Sequence, residues 1–408
     1  MEEYKNLRTL FHISEKEADR EYQQRFASKD AIKFDFSIAG SQAFFVMDSE
    51  VYKLILSAER LDRDISKLQN NLPEIAIDQY MNKCLIDEIV LTNEIEGVHS
   101  SRQEIGEILE NLAKQDKRGR FQGIVEKYNT LKKGTEIPLN TCEDIRKLYD
   151  ELVLEEVVKE DPNNKPDGKL FRKNITHVID ESGRVIHDGI EPEEKIIELL
   201  TKALDVLNDD RIEVIVRVSL FHFMFAYIHP FYDGNGRTNR FVSSAVLASS
   251  FSPLPGLRLS YAVKEHIKSY YKAFSVCEHA LNKGDLTPFV ISFAKIIVDA
   301  MESMKNSLVE KEIQLNQAML QLLECFGEKG LDRLESDIAF ILVQAALFSE
   351  LGLTAKDLAK MKEVSAPTIY GKLKKFDAKN LIKRNKKGRS VYMSIDLDGL
   401  SKITTISA

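Results

Sequence analysis

Twelve consecutive residues, from His229 to Arg240, bring an imidazole, a carboxylate, three small turn residues and two guanidinium groups together in the sequence HPFYDGNGRTNR. An imidazole has an ordinary pKa of about 6.5 and can take a proton from a hydroxyl group near neutral pH. A carboxylate suits Mg²⁺, which prefers oxygen ligands and usually shares them with its substrate. Arg237 and Arg240 lie three positions apart, so on a helix they can bind phosphate oxygens from one face. These residues predict phosphoryl or nucleotidyl transfer to an alcohol of a protein or a small molecule.

The flanking sequence favours a loop that leads into a helix. The largely apolar run Val214 to Ile228 predicts a buried central helix, which should end near His229 because Pro230 disfavours helical geometry in the residue before it. Residues 234–236 tolerate left-handed backbone and let successive amides point into one concavity. A helical pattern resumes at Thr238. Free amides and the helix dipole at such an entrance favour an anion.

Each of these features taken alone has a purely structural explanation. The sequence DGNG is a common surface turn, a histidine before proline is often packed or capping, and two arginines one turn apart often form a solvated helix face. Their coincidence in one loop between two helices favours a site.

The segment resembles the signature of Fic domains, HxFx(D/E)GNGRxxR, at every defined position. The resemblance implies a mainly helical core and the transfer of AMP from ATP to a hydroxyl group of a target protein. It implies that His229 is the general base, that Phe231 anchors the loop in the core and that Asp233 binds Mg²⁺. It assigns phosphate binding to five further residues: Gly234, Asn235, Gly236, Arg237 and Arg240.

The donor is less well defined than the reaction. Doc-type relatives, which phosphorylate their targets, carry lysine in place of the second glycine, so Gly236 favours AMP transfer. The segment SYYKAFSVCEHALNKGD is similar to the part of the family that lines the adenosine pocket, and it implies contacts of Tyr271 and Asn282 with the base or ribose. The spacing between these two residues is longer than expected, and Tyr271 has the alternative interpretation of a core aromatic. Phosphocholine and UMP transfer therefore stay open.

Upstream, the sequence NITHVIDESGRVIHDG contains two short β-branched runs on either side of Ser182 and Gly183, which predicts a hairpin. Its place resembles that of the family's flap, which holds the target backbone as an added strand.

A second motif, TNEIEG from Thr92 to Gly97, ends a predicted helix and resembles the family's inhibitory motif (S/T)xxxE(G/N). An ion pair between Glu96 and Arg240 would occupy the place of the γ-phosphate and leave the enzyme nearly silent. The alternative is that Glu96 is an exposed acid at a helix end. Some relatives with this arrangement also remove AMP, with the glutamate positioning a water molecule, and the sequence does not choose between the two directions.

The segment from Lys356 to Arg389 has 12 basic and 3 acidic residues, whereas the whole chain has a net charge of −7. It resembles a winged helix-turn-helix, with 366–377 as the recognition helix and 386–389 as the wing. One interpretation is DNA binding, with base contacts from a set of four residues: Ser365, Thr368, Tyr370 and Lys372. The other is a protein-binding or dimerising module with a solvated basic face. A DNA-binding regulator whose Fic domain senses nucleotide is therefore the alternative to an autoinhibited transferase.

The 408 residues predict three regions. These are an N-terminal helical region with the inhibitory helix (1–115), a Fic core (116–310), and a connecting helix with the winged helix-turn-helix (311–408). The four cysteines are far apart and form no CxxC pair, which argues against a zinc site or a disulfide framework. With no apolar stretch of signal-peptide or membrane-helix length, we expect a cytoplasmic protein that makes no membrane contact. The sequence leaves the oligomeric state open, with a homo-oligomer as one alternative.

Overall fold

The computed structural model describes residues 4–112, 119–179, 185–327, 330–388 and 390–407. Helices account for most of these residues, and the strands found among them form three small antiparallel sheets. The expectation of a mainly helical fold is confirmed. Among the described residues, no helix combines the length and apolar character needed to cross a membrane.

The chain divides into two compact units. The first contains Met1–Arg63 and Leu85–Glu302, and the second contains Asp64–Cys84 and Ser303–Ala408. The compact units are defined by packing, whereas the three regions expected from the sequence are defined by function. The three regions therefore stay a prediction.

The N-terminal part of the chain is a helical segment interrupted by one hairpin. Its elements are α1 (Leu7–Ile13), α2 (Glu15–Phe26), β1 (Ala31–Ile38), β2 (Ser41–Val46), α3 (Ser49–Asn71), α4 (Glu74–Ile95) and α5 (Arg102–Asn111). Helix α4 ends where the sequence predicts, because Gly97 takes a left-handed φ of +73°. The Ser101 hydroxyl accepts the Glu104 N–H and caps α5.

The central part of the chain is built from short helices around one buried helix. The elements are α6 (Gln122–Lys132), α7 (Cys142–Tyr149), a π-helical turn (Asp150–Leu154), α8 (Glu155–Glu160), a 3₁₀ turn (Pro162–Asn164), β3 (His177–Ile179), β4 (Val185–Asp188), α9 (Glu193–Leu207), α10 (Val214–Ile228) and α11 (Asn235–Ser250). Helix α10 has the predicted bounds. It is apolar on most sides, and it packs between α9 and α11 because a helix with apolar residues all round must be covered.

The remainder of the first unit follows as α12 (Pro253–Gly256), α13 (Leu259–Glu265), α14 (Ile267–Cys277) and a 3₁₀ turn (Ala280–Asn282). The long helix α15 (Thr287–Phe326) begins in the first unit and continues into the second.

The second unit ends in α16 (Arg333–Phe348), β5 (Leu353–Thr354), α17 (Ala355–Met361), α18 (Ala366–Asp377), β6 (Ile382–Lys387), β7 (Ser390–Ile395) and α19 (Leu397–Ser407). The three strands form an antiparallel sheet in the order β5-β7-β6. Helix α18 coincides with the predicted recognition helix, and Ser365 caps it by accepting the Thr368 N–H. The predicted wing segment includes Arg389, which lies outside the described residues.

Candidate active site

The loop of the HPFYDGNGRTNR segment joins α10 to α11. His229 ends α10 with a left-handed φ of 54°, and its N–H donates to Phe225 O at 3.0 Å. Helix α11 begins at Asn235, three residues before the predicted start at Thr238. The earlier start follows from Gly234, whose φ of +78° turns the chain directly into the helix.

Asn235 and Phe231 hold this loop in one conformation. The Asn235 side chain accepts the Phe231 N–H at 2.9 Å and donates to Phe231 O at 2.7 Å. The Phe231 ring is completely buried and stacks on Tyr149, with ring centroids 3.7 Å apart. Asn235 therefore stabilises the loop itself, in addition to the phosphate contact that the resemblance implies.

His229 is held in its neutral form. It is partly buried, and burial lowers its pKa to about 4, with a further lowering from the nearby guanidinium of Arg172 and smaller opposing effects from the Ala226 backbone and Glu96. An imidazole of this kind is unprotonated at neutral pH, so it can accept a proton from a hydroxyl group.

Arg237 and Arg240 are both only 1% exposed. Arg237 Nη1 donates to Glu156 Oε1 at 2.7 Å, and Nη2 lies 3.9 Å from Asp233 Oδ2. Within the described parts of the chain, Arg237 Nε and Nη2 have no hydrogen-bond partner. Buried donors without an acceptor are costly, so a bound anion such as a phosphate would satisfy them.

Arg240 is bound by Thr92 and Glu96 of the TNEIEG motif. Its Nη2 donates to Glu96 Oε1 at 2.8 Å and to Thr92 O at 3.1 Å, while its Nε donates to Thr92 Oγ1 at 2.8 Å. Burial by itself would lower the pKa of Arg240, but the charge and hydrogen bond of Glu96 contribute to a net rise. The guanidinium is therefore fully charged and neutralised by a carboxylate from α4.

Glu96 also lies directly against the glycine-rich turn. A Cβ atom added at Gly236 would be 2.1 Å from Glu96 Oε1, far inside van der Waals contact. The absence of a side chain at position 236 is what allows the carboxylate to reach the first turn of α11.

Asp233 offers a carboxylate with 37% of its side chain exposed. Its Oδ1 accepts the Gly234 N–H. Among the described residues, no group of three or more His, Cys, Asp or Glu side chains could hold a metal ion by itself. Asp233 fits Mg²⁺ as a single carboxylate ligand, because this ion usually takes its other ligands from phosphate oxygens and water.

The predicted hairpin is present as β3 and β4, paired antiparallel with His177 opposite Asp188. Its predicted tip at Ser182 and Gly183 lies outside the described residues. The His187 ring lies over Tyr227 with centroids 4.4 Å apart, and its Nε2 is 2.6 Å from Tyr227 O, two residues before the predicted base. The hairpin therefore lies beside the end of α10.

The two residues of the predicted adenosine pocket have different surroundings. Tyr271 has 49% of its side chain exposed and acts electrostatically on Arg240, so it lies near the phosphate side of the site. Asn282 is completely buried, and its Nδ2 donates to Asp285 O at 2.6 Å. Its Oδ1 has no hydrogen-bond partner among the described residues. Contact of either residue with a base or ribose stays a prediction.

Sequence reasoning missed four polar residues around His229, Arg237 and Arg240. Glu156 binds Arg237, Arg172 binds His229 O, and Glu88 and Tyr270 interact electrostatically with Arg240. They come from four different elements or loops, and no local motif links them to the glycine-rich segment. Glu88 could have been predicted most easily from the sequence, because it lies four residues before Thr92 and eight before Glu96, a spacing that places side chains on one helix face.

Comparison with known proteins shows which family part of this chain matches. Residues 138–247 match the Fic/DOC family. Protein adenylyltransferase fic-1 of Caenorhabditis elegans is 35% identical over 105 residues, 25% of this chain and 19% of that protein. Protein adenylyltransferase Fic of Drosophila grimshawi is 30% identical over 125 residues, 30% of this chain and 23% of that protein. The chain thus spans less than a quarter of the length of these two relatives.

The fold is also similar to a solved structure. The crystal structure of a Fic family protein from Desulfovibrio desulfuricans G20 aligns with 86% of this chain and 97% of that chain, with a TM-score of 0.52 and 17% sequence identity. Residues 138–247 thus form a domain of the Fic/DOC family, and the solved structure adds a similarity of fold.

Proposed function

We propose that this protein transfers AMP from ATP to a hydroxyl side chain of a target protein, and to itself, and that Glu96 keeps this activity low. The family domain and the relatives named protein adenylyltransferase support the reaction. The observation that carries the proposal is the contact of Arg240 with Glu96 at 2.8 Å beside the buried first turns of α11.

In the proposed reaction, His229 takes the proton of the target hydroxyl as its oxygen attacks the α-phosphorus of ATP. A bond forms between that oxygen and phosphorus, the bond to the bridging oxygen breaks, and pyrophosphate leaves. The unpartnered donors of Arg237 and the first amides of α11 stabilise the charge on the phosphate oxygens. Mg²⁺ held by Asp233 would supply further charge neutralisation at the phosphates.

Inhibition follows from competition for one guanidinium. We propose that Arg240 can bind either the Glu96 carboxylate or the outermost phosphate of ATP. In this structure its buried donors are bound to Thr92 and Glu96. While the ion pair is intact, ATP lacks this contact, and the α-phosphorus is not aligned for attack.

The test is the intact mass of the Glu96→Gly protein after incubation with ATP and Mg²⁺, alongside wild type and a Glu96→Gly, His229→Ala double variant. We expect the single variant to gain one or more AMP units and the other two proteins to gain little, because loss of a general base costs about 10²- to 10⁴-fold. No mass gain in the single variant contradicts AMP transfer. A mass gain seen only with UTP or CDP-choline would show that this molecule, and not ATP, is the donor.

Glu96 also suits the reverse reaction, since its partly exposed carboxylate could orient a water molecule toward an AMP-modified side chain. Incubation of AMP-modified target with wild type and with Glu96→Gly distinguishes the directions. Loss of label with wild type alone supports AMP removal, and retention of label with both proteins contradicts it.

The competing function, a DNA-binding regulator, depends on the basic C-terminal segment. We interpret α16 to β7 as a winged helix, on the order of its helices and its three-stranded sheet. Many of its basic side chains have carboxylate partners in the same unit: Lys362 with Asp337, Lys372 and Lys375 with Glu335, Lys383 with Asp396, and Arg384 with Asp377. Paired cations are less available to DNA phosphates, so the ion pairs favour a protein-binding role for this module.

A further inference from the structure

Arg172 is a completely buried arginine that follows the 3₁₀ turn before β3. Its Nε donates to His229 O at 2.8 Å, and its Nη1 donates to Asn174 O at 2.7 Å. Its Nη2 donates to Ile190 O at 2.8 Å and to Ile228 O at 3.4 Å. Each of these acceptors is a backbone carbonyl. This guanidinium therefore links backbone segments, whereas the usual partner of a buried arginine is a carboxylate.

The sequence around Arg172 is organised to hold it there. The Glu193 carboxylate accepts three successive backbone N–H groups, those of Lys169, Leu170 and Phe171, and so fixes the chain immediately before Arg172. A Cβ atom at Gly189 would lie 2.3 Å from Arg172 Nη2, so the guanidinium fits only because residue 189 is glycine.

The carbonyls that Arg172 binds belong to three segments of the site. Ile228 and His229 form the end of α10, Asn174 precedes β3, and Ile190 follows β4. His229 has a left-handed backbone, a conformation that is strained for a non-glycine residue and persists only where surrounding contacts enforce it. The bond from Arg172 to His229 O is such a contact.

We propose that Arg172 is a positioning residue, which fixes the backbone of His229 and both ends of the β3–β4 hairpin in one arrangement. The base and the strands that would hold the target are then set relative to each other by one side chain. The proposal rests on the proposed function only for its catalytic consequence, since the structural link exists whatever the reaction.

A second consequence concerns charge. After burial, the positive charge of Arg172 is the largest influence that lowers the pKa of His229. Arg172 would therefore both orient the imidazole and help to keep it neutral, and these two effects can be separated by substitution.

The experiment uses the Glu96→Gly protein as background, with Arg172→Lys, which keeps the charge and loses the forked geometry, and Arg172→Gln, which loses the charge. The matched control is Arg146→Gln. Arg146 also donates to a carbonyl of the same loop, Leu170 O at 2.7 Å, but it is paired with Asp150 and does not contact His229. The readouts are kcat and KM for ATP across pH 5–8, and NMR titration of the His229 imidazole, assigned with His229→Ala.

We expect kcat to fall about 10- to 100-fold in both Arg172 variants, with KM for ATP changed less than about twofold, because the base is misplaced while the nucleotide site is intact. The pKa of His229 should rise by about one in Arg172→Gln and stay unchanged in Arg172→Lys and Arg146→Gln.

An unchanged kcat in Arg172→Lys, or an unchanged pKa of His229 in Arg172→Gln, overturns the proposal. An equal fall of kcat in Arg146→Gln does the same. If Arg172→Gln does not fold, the kcat of Arg172→Lys decides whether Arg172 is a positioning residue. If no variant transfers AMP even without Glu96, the proposed function fails, while the titration of His229 still decides the role of Arg172.

Discussion

His222 in α10 and His229 just after it show how the surroundings of a histidine distinguish a packed side chain from one that a substrate can reach. His222 is completely buried, and its ring nitrogens lie 2.8 Å from Ser243 Oγ and from Tyr270 Oη. Both of its nitrogens are used inside the core, and burial lowers its pKa well below the usual range. His229, seven residues later, is partly exposed at the loop and is the histidine available to a substrate.

The pKa of His229 leads to a prediction about pH. Because its folded pKa is lowered to about 4, the imidazole remains almost fully neutral down to pH 5. The kcat/KM of Glu96→Gly protein should therefore change less than about twofold between pH 8 and 5, whereas a base with an ordinary pKa would lose about 30-fold. Initial rates of AMP transfer across this range, with circular dichroism to verify folding, make the comparison. A decline centred near pH 6.5 would contradict the lowered pKa.

Gly236 carries a second prediction at the level of single residues. A methyl group at this position collides with Glu96 Oε1, so Gly236→Ala must displace the carboxylate from Arg240. We expect the substitution to lower the free energy of unfolding by about 1 kcal/mol more in wild type than in Glu96→Gly protein, measured by urea denaturation.

Gly106→Ala is the control for this cycle, because a Cβ there meets only Ile86 Cδ1 at an ordinary 3.5 Å. Its effect should be the same with and without Glu96. Equal effects of Gly236→Ala in both backgrounds would show that residue 236 and Glu96 are independent.

At the level of elements, Glu88 and Thr92 lie on one face of helix α4, and Glu96, the first residue after the helix, continues their spacing of four residues. Both carboxylate oxygens of Glu88 accept the Ser260 N–H at 2.8 Å, at the start of α13. Glu88 is completely buried, and burial raises its pKa. This contact anchors the helix two turns before Glu96.

Removal of this anchor should release inhibition without touching the Glu96 motif. Glu88→Ala leaves the buried Ser260 N–H without its acceptor, which costs about 1–3 kcal/mol and loosens α4. We expect several-fold more AMP incorporation than in wild type but less than in Glu96→Gly, measured by intact mass. Glu94→Ala is the control, because it removes an exposed acid of α4 whose ion pair with Lys264 of α13 is weak in solvent, and it should incorporate no more AMP than wild type. No gain in Glu88→Ala would show that α4 is held by other contacts.

For the molecule as a whole, the excess of basic residues in the C-terminal sequence is not sufficient to indicate a DNA-binding surface. Five of the twelve basic residues between Lys356 and Arg389 pair with acids of α16, α18 and the residue after β7, so part of the local excess of positive charge is neutralised within the fold. Such pairs are weak individually, but they compete with phosphate for the same donors.

We therefore expect weak binding of duplex DNA with a shallow dependence on salt. Between 50 and 200 mM salt the affinity should fall less than about 10-fold, whereas a protein with six to ten phosphate contacts loses about 10³- to 10⁵-fold. Fluorescence anisotropy with a labelled duplex measures this. Asp377→Asn, which releases Arg384, should strengthen binding a few-fold. Steep salt dependence with sequence preference in the wild-type protein would instead support the DNA-binding regulator.

Local sequence was enough to predict α10 from Val214 to Ile228, the end of α4 at Gly97 and helix α18, because apolar periodicity and left-handed or capping residues act within a few positions. The glycine-rich segment and the TNEIEG motif likewise identified both partners of the Glu96–Arg240 contact, 144 positions apart, because each lies in a compact local pattern.

Tertiary structure alone decided the rest. The stacking of the buried Phe231 ring on Tyr149 joins residues 82 positions apart, and the role of Arg172 depends on carbonyls from three separate segments. Lone arginines and glutamates carry no periodic signal. Their partners are set by packing and by the need to satisfy buried polar groups, which no stretch of sequence expresses by itself.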